Sequence, residues 1–282
     1  MRLNLVLVAA LLVLLALGLL LGETSLSGLQ YAQAFRDPTS GPGEILWAIR
    51  APRVVAAAVV GGALGLAGAV MQGLLRNPLA DPGVLGVSAG AGLGASLAIA
   101  LGLAAIPGGT EAAALVAALA TGLLLTALAA RFREPETLIL FGVALSAFAG
   151  ALTSLIFNLS PSPVTTAEIL SWLMGSVANR SWGDIGWELA PMTLGAALCV
   201  YAARGLVMLT LGEETAAMSG LPMARLRAAA VAGASLLTGA AVAMAGIIGF
   251  VGLAAPHLVR AGAGADPGKA LAPSALAGAI LL

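Results

Sequence analysis

Apolar runs of about 20 residues, each closed by charges or by Pro and Gly, recur along the whole chain. A helix of about that length crosses the hydrocarbon core of a bilayer. Lipid leaves no partner for unpaired backbone groups, so a chain built of such runs folds as a bundle of helices. The runs fall near 3–21, 49–75, 84–103, 112–132, 137–159, 187–203, 227–245, a short one at 246–259, and a last one at 270–282. Breakers separate them: Arg76-Asn77-Pro78, Pro107-Gly108-Gly109, Arg133-Glu134-Pro135 and Ser160-Pro161-Ser162-Pro163. The expectation is an all-α, polytopic transmembrane helical bundle with about nine spans, forming a single domain over residues 1–282.

Composition excludes the alternatives. The chain is 60% hydrophobic and 9% charged, against about 25% charged in soluble domains. That rules out a soluble domain, a disordered chain and a basic nucleic-acid binder. Cys199 is the only cysteine, which precludes an intrachain disulfide, and its apolar surroundings suit a small buried hydrophobe. The 37 glycines suit membrane helices in close contact. The first run, with Arg2 before it and Gly22-Glu23-Thr24 after it, has the outline of a signal peptide. Its length and the spans that follow favour a retained helix. Segment 23–44 reads as an external loop with one short helix, and 168–176 as an interfacial helix.

The positive-inside rule sets the orientation. With the N-terminus inside, nine basic residues fall on the inner side: Arg2, Arg76, Arg131, Arg133, Arg204, Arg225, Arg227, Arg260 and Lys269. Four fall outside: Arg36, Arg50, Arg53 and Arg180. The outer Arg50 and Arg53 then require a reason.

No catalytic constellation is present. His257 is the sole histidine, which removes histidine metal sites and Ser-His-Asp triads. The acidic residues sit mostly at span ends, so no buried proton relay is evident. Residues 263–270 (AGADPGKA) resemble a phosphate loop only faintly, because Ala263 and Ala270 stand where Gly and Ser/Thr are needed.

Five stretches carry more information. In Ile49-Arg50-Ala51-Pro52-Arg53, two arginines three apart share one face of a helix start. They either snorkel to headgroups or face carboxylates of an external partner. Segment 71–90 (MQGLLRNPLADPGVLGVSAG) reads as a helix end, a Pro-bounded turn and a small-residue helix. Segment 211–222 (LGEETAAMSGLP) reads as a short exposed helix closed by Gly220 and Pro222, either a plain connector or a knob for an internal partner. In 246–260 (GIIGFVGLAAPHLVR), Gly246, Gly249 and Gly252 make a close-contact face, Pro256 interrupts the helix, and His257 suits a satisfied interfacial position. On the run 137–159, Ser146, Gly150, Thr153, Ser154 and Asn158 place small polar groups on one face. They either bond back to their own helix or wall an aqueous path.

Segments 50–94, 212–222 and 249–260, in this order, resemble the FecCD permeases. These are membrane subunits of type II ATP-binding-cassette importers for iron–siderophore complexes, haem and vitamin B12. The resemblance runs from about residue 45 to the end. It implies a bacterial inner-membrane, multi-pass protein with its N-terminus in the cytoplasm. It implies partners too: a second permease copy, two cytoplasmic ATPases and an extracytoplasmic binding protein. Nothing catalytic and no cofactor is expected on the chain itself, since ATP and Mg belong to the ATPases. Arg50 and Arg53 match arginines that dock the binding protein. Glu213, Glu214, Ala216, Ala217 and Gly220 match the coupling segment, expected within a loop at 205–226. The run 137–159 matches a pathway-lining helix. The resemblance implies ten spans, whereas the ninth run breaks off at Ala279-Ile280-Leu281-Leu282. The expected cargo is an iron(III)–siderophore complex, with haem or vitamin B12 as alternatives. An ion-gradient transporter would need a mid-span carboxylate beside broken helices, and the sequence offers none.

Overall fold

A computed structural model describes residues 2–282 except 84, 133–134, 161, 211, 219 and 264–265; for 130, 135, 213, 214, 217 and 263 it describes the backbone alone. The helices, in chain order, are α1 (Arg2–Leu20), α2 (Gly28–Arg36), the single turn α3 (Gly41–Gly43), a π-helical segment (Glu44–Arg50) and α4 (Ala51–Leu75). Then come α5 (Val87–Ala100), α6 (Gly109–Arg131), α7 (Pro135–Asn158), α8 (Pro163–Leu173) and α9 (Trp182–Leu209). The last four are α10 (Glu213–Met218), α11 (Met223–Ala245), α12 (Val251–Ala263) and α13 (Pro267–Leu281).

Among the described residues, six spans are long and apolar enough to cross a membrane: Arg2–Leu20, Gly41–Leu75, Gly109–Ala129, Glu136–Asn158, Trp182–Leu209 and Met223–Ala245. The other three expected spans are helices of 14, 13 and 15 residues (α5, α12 and α13), shorter than a crossing. Helix starts follow local capping chemistry. Ser27 and Gln30 form a capping box at α2, and Ser181 and Asp184 form one at α9. The second box starts α9 five residues before the apolar run does. The expected interfacial helix also begins earlier, at Pro163, where the Ser162 side chain caps α8.

Helix α11 occupies the middle of the bundle, against α4, α5, α6 and α9. Its buried residues are almost all Ala, Gly, Ser, Thr and Val, so backbones rather than long side chains set the spacing. Helices α4 and α13 approach closely. A Cβ on Gly61 would collide with the Gly278 carbonyl, and one on Gly65 with the Ser274 carbonyl. One turn further on, Gly68 meets the Gly252 carbonyl of α12 in the same way. Helix α1 lies at the edge and buries no residue; Leu3 and Leu7 lean on Ala255, Val259 and Ala277.

Residues 246–250 leave the helix between α11 and α12. Gly246 has φ 71° and ψ −169°, a backbone region essentially reserved for glycine. The Ser176 N–H donates to the Ala245 carbonyl at 2.7 Å, which pins this exit to the segment after α8. Phe250 also has a positive φ, 71°, and its ring is 80% exposed.

Candidate functional site

The arginine pair is split. Arg50 ends the π-helical segment and is only 7% exposed. Its Nη1 donates to the Leu19 carbonyl at 3.0 Å, the Leu20 carbonyl at 3.3 Å and the Tyr31 hydroxyl at 2.9 Å, and its Nη2 donates to the Thr24 carbonyl. Tyr31 in turn donates to the Leu20 carbonyl at 2.6 Å. The last carbonyls of α1 carry the negative end of its dipole and lack helical partners, so a guanidinium there has a local purpose. This corrects the expectation that both arginines present one open face. The chain after α1 and the hydroxyl of Tyr31 on α2 enclose Arg50, whereas Arg53 is exposed.

The stretch between α9 and α11 is shorter than the loop expected at 205–226. Helix α9 runs to Leu209 and α11 starts at Met223, so both helices extend into the stretch expected as loop. Between them lies the short helix α10, bracketed by Gly212 at φ 102° and Gly220 at φ 81°. Ala216 is 1% exposed and belongs to the core, which seats the helix on the bundle. Gly220 is exposed, with open space where a Cβ would stand. Glu213, Glu214 and Ala217 lie on α10, and their side chains are outside the described residues. Met218, 84% exposed, is the large apolar side chain that α10 presents outward. Sequence reasoning passed it over. The signal was available, since two residues along a helix from a buried alanine is roughly the opposite face.

On α7 the polar stripe bonds to its own helix. Thr153 Oγ1 donates to the Ala149 carbonyl at 2.9 Å, Ser154 Oγ to the Gly150 carbonyl at 3.0 Å, and Asn158 Nδ2 to the Ser154 carbonyl at 2.8 Å. Gly150, Ser154 and Asn158 are exposed; Ser146 and Thr153 are half-buried. No Cβ contact would meet Gly150 within 4 Å. Both readings of the stripe are therefore compatible with one geometry: back-bonded hydroxyls on a face that this chain does not cover.

Two motifs distant in the chain meet at Leu253. Asp81 accepts from the Leu253 N–H and, through Oδ1 at 2.6 Å, from the Gly83 N–H. Burial pushes its carboxyl above the ordinary aspartate range, against those two hydrogen bonds. Gln72, 5% exposed, donates from Nε2 to the Leu253 carbonyl at 3.3 Å and accepts from Arg260 Nη2 at 3.2 Å. The first turn of α12 is thus held at both its N–H and its C=O. Arg76 allows the chain to turn out of α4, as its left-handed cap residue with φ 49°. His257 is exposed.

One buried carboxylate escaped the sequence reading. With α9 starting at Trp182, Glu188 sits nearly two turns in, on the face that also carries Ile185, Met192, Gly195 and Cys199. It is 5% exposed, and its Oε2 has no hydrogen-bond partner among the described residues. Arg180 Nη1 pairs with Glu111 Oε1 at 3.7 Å, while its Nε has no hydrogen-bond partner among the described residues. Glu188 is an exception to the expectation that carboxylates sit mostly at span ends, because the capping box lengthens the helix.

A protein-family model described as the FecCD transport family matches residues 10–282. An uncharacterized ABC transporter permease protein, YvrB of Bacillus subtilis, is 43% identical over 241 residues, covering 83% of this chain and 68% of that protein. The vitamin B12 import system permease protein BtuC of Vibrio vulnificus is 39% identical over 281 residues, covering 99% of this chain and 82% of that protein. Among solved structures, a chain described as a metal-chelate type ABC transporter in an inward-facing conformation superposes with a TM-score of 0.88 at 32% identity, covering 99% of this chain and 87% of that one. A match over nearly the whole chain, on a fold in which the motif residues 72, 81 and 253 converge, identifies it: the chain belongs to the FecCD transport family.

Proposed function

We propose that this multi-pass membrane chain is the permease subunit of an ATP-driven importer for a metal chelate. It works with a second permease copy, two cytoplasmic ATPases that carry ATP and Mg, and an extracytoplasmic binding protein. The observation that carries the reading is the family match over residues 10–282. The arrangement of α10 supports it further: Ala216 seats the helix on the bundle while Met218 and Gly220 face outward, as a contact for a moving partner requires. The exposed polar stripe of α7 is the surface we assign to the pathway, facing the second copy. Among cargoes, the vitamin B12 permease from Vibrio vulnificus favours a corrinoid, and an iron(III)–siderophore complex remains the second reading.

Reconstituted with a partner ATPase and binding protein, the chain is expected to accumulate cyanocobalamin in ATP-loaded vesicles. A ferric hydroxamate siderophore serves as the competing cargo. Uptake of the siderophore alone would replace the corrinoid reading, and uptake of neither would remove the metal-chelate function.

The split arginine pair makes a second prediction. Because Arg53 is exposed and Arg50 is enclosed, we assign the docking role to Arg53. Arg53→Glu is expected to weaken docking of the binding protein about tenfold or more, through loss of one charge pair and gain of a repulsion. The measurement is its affinity for permease in nanodiscs. Unchanged affinity would remove Arg53 from the docking surface.

A further inference from the structure

The break between α11 and α12 lies at membrane depth. Gly252, just past it, meets Gly68 of α4 backbone to backbone. At 1.5 Å rise per residue, Gly68 stands about 10 Å from the Leu75 end of α4 and about 25 Å from its Ala51 end. The other side of the break abuts the end of α8 and the first half of α5. A Cβ on Gly175 would collide with the Ile247 backbone, and one on Gly92 would stand 3.0 Å from Ile247 Cδ1 and from Leu173 Cδ2. Both ends of the break are anchored, by Ser176 on Ala245 and by Asp81 and Gln72 on Leu253.

Between these anchors, Gly249 and Phe250 are exposed. Their N–H groups find no acceptor among the described residues. Hydrocarbon offers such groups no partner, so non-helical backbone left uncovered at this depth borders water rather than lipid. The side chain at 250 adds a second observation. Its φ of 71° suits glycine and strains a bulky residue, yet an aromatic ring stands there with 80% of the residue exposed. The anchored loop thus presents an apolar ring on a wall that faces water.

We propose that Gly249 and Phe250 line the water-filled pathway and that the Phe250 ring is an apolar contact for the metal chelate passing through it. The break continues the wall already assigned to the pathway, because α8, on whose end it sits, follows the polar stripe of α7 in the chain. The stripe supplies hydroxyls and an amide. Phe250 supplies a flat dispersion surface for the organic shell of a chelate. The inference rests on the permease reading and adds to it a cargo-contacting residue, whichever chelate is carried.

Two measurements test it. In a Cys199→Ser background, Phe250→Cys and Ser154→Cys are each treated in proteoliposomes with a water-soluble, cationic methanethiosulfonate reagent. Both are expected to react. Reaction at 154 without reaction at 250 would overturn this inference and leave the pathway on α7. Reaction at neither would remove the pathway reading itself. The second measurement compares thermal midpoint with uptake of the chelate that wild type accumulates, cyanocobalamin or the ferric hydroxamate. Phe250→Gly relieves the strained φ, so its midpoint is expected to stay level or rise. Its uptake is expected to fall about threefold or more, the scale of one lost aromatic contact. Phe250→Tyr, which keeps the ring, is expected to restore most of that loss. Wild-type uptake by Phe250→Gly, or a fall in its midpoint that accompanies the loss of uptake, would overturn the contact role.

Discussion

Gly68→Ala is expected to leave little folded permease, whereas Gly62→Ala in the same helix is expected to be tolerated. A Cβ at residue 68 would run into the carbonyl oxygen, carbonyl carbon and Cα of Gly252. Backbone atoms cannot rotate out of the way as a side chain can, so α4 and α12 must separate. At Gly62 the nearest atoms to a new Cβ are the Ala275 carbonyl at 3.5 Å and the Ala279 Cβ at 3.9 Å, which is ordinary contact. Overpacking a tight site costs about 1–3 kcal/mol when neighbours can shift, and here the neighbours are two helix backbones. Separation also loosens Gly61 from Gly278, Gly65 from Ser274, and Gln72 from Leu253. The combined loss approaches the whole stability of a typical fold, about 5–15 kcal/mol. Yield of monodisperse protein in detergent and its thermal midpoint read the effect. Equal midpoints for the two variants would show that α12 does not pack as described.

Arg50→Ala is expected to free the end of α1 and to destabilise the chain by about 3 kcal/mol or more. Hydrogen bonds from a charged group are worth about 1.5–3 kcal/mol each, and they are not additive. Arg50 makes them to three carbonyls and to the Tyr31 hydroxyl. Helix α1 buries no residue of its own, so this junction contributes much of what fixes its end. Arg50→Lys is expected to recover only part, because one ammonium cannot span the same fork of acceptors. Disulfide trapping reads the position of α1 directly. Gly18 and Val54 are adjacent, with a Cβ at residue 18 falling 2.9 Å from Val54 Cγ2. In a Cys199→Ser background, Gly18→Cys with Val54→Cys should trap efficiently with Arg50 present and several-fold less with alanine. Undiminished trapping would contradict the anchoring role and return Arg50 to the docking surface.

These two residues also mark how far the sequence could be read. Arg50 and Arg53, three apart, belong on one face of a regular helix. A π-helical segment ending at Arg50, and the hydrogen-bonding groups supplied by the chain after α1, turned one inward and left the other outside. Glu188 escaped the sequence reading for a related reason: the hydrophobic run begins at Trp187, while the helix begins at its capping box. Hydropathy finds spans, and it is blind to polar residues that start a helix early. Met218 becomes legible as the outward residue of α10 only once Ala216 is known to be buried, because burial of one face defines the opposite one. The stripe on α7 was legible as a stripe. That its hydroxyls bond back to their own helix shows only in individual hydrogen bonds.

The amino-acid sequence by itself determined the helical membrane architecture, the approximate position of nine helices and the family. Each of these follows from local order along the chain, either hydrophobic run length or motif spacing. Tertiary structure decided which glycines are indispensable, that Leu253 is gripped by Asp81 and Gln72, and that Arg50 closes α1. Those outcomes depend on backbones from distant segments coming within a few ångströms of each other, and no local pattern records which backbone will be there.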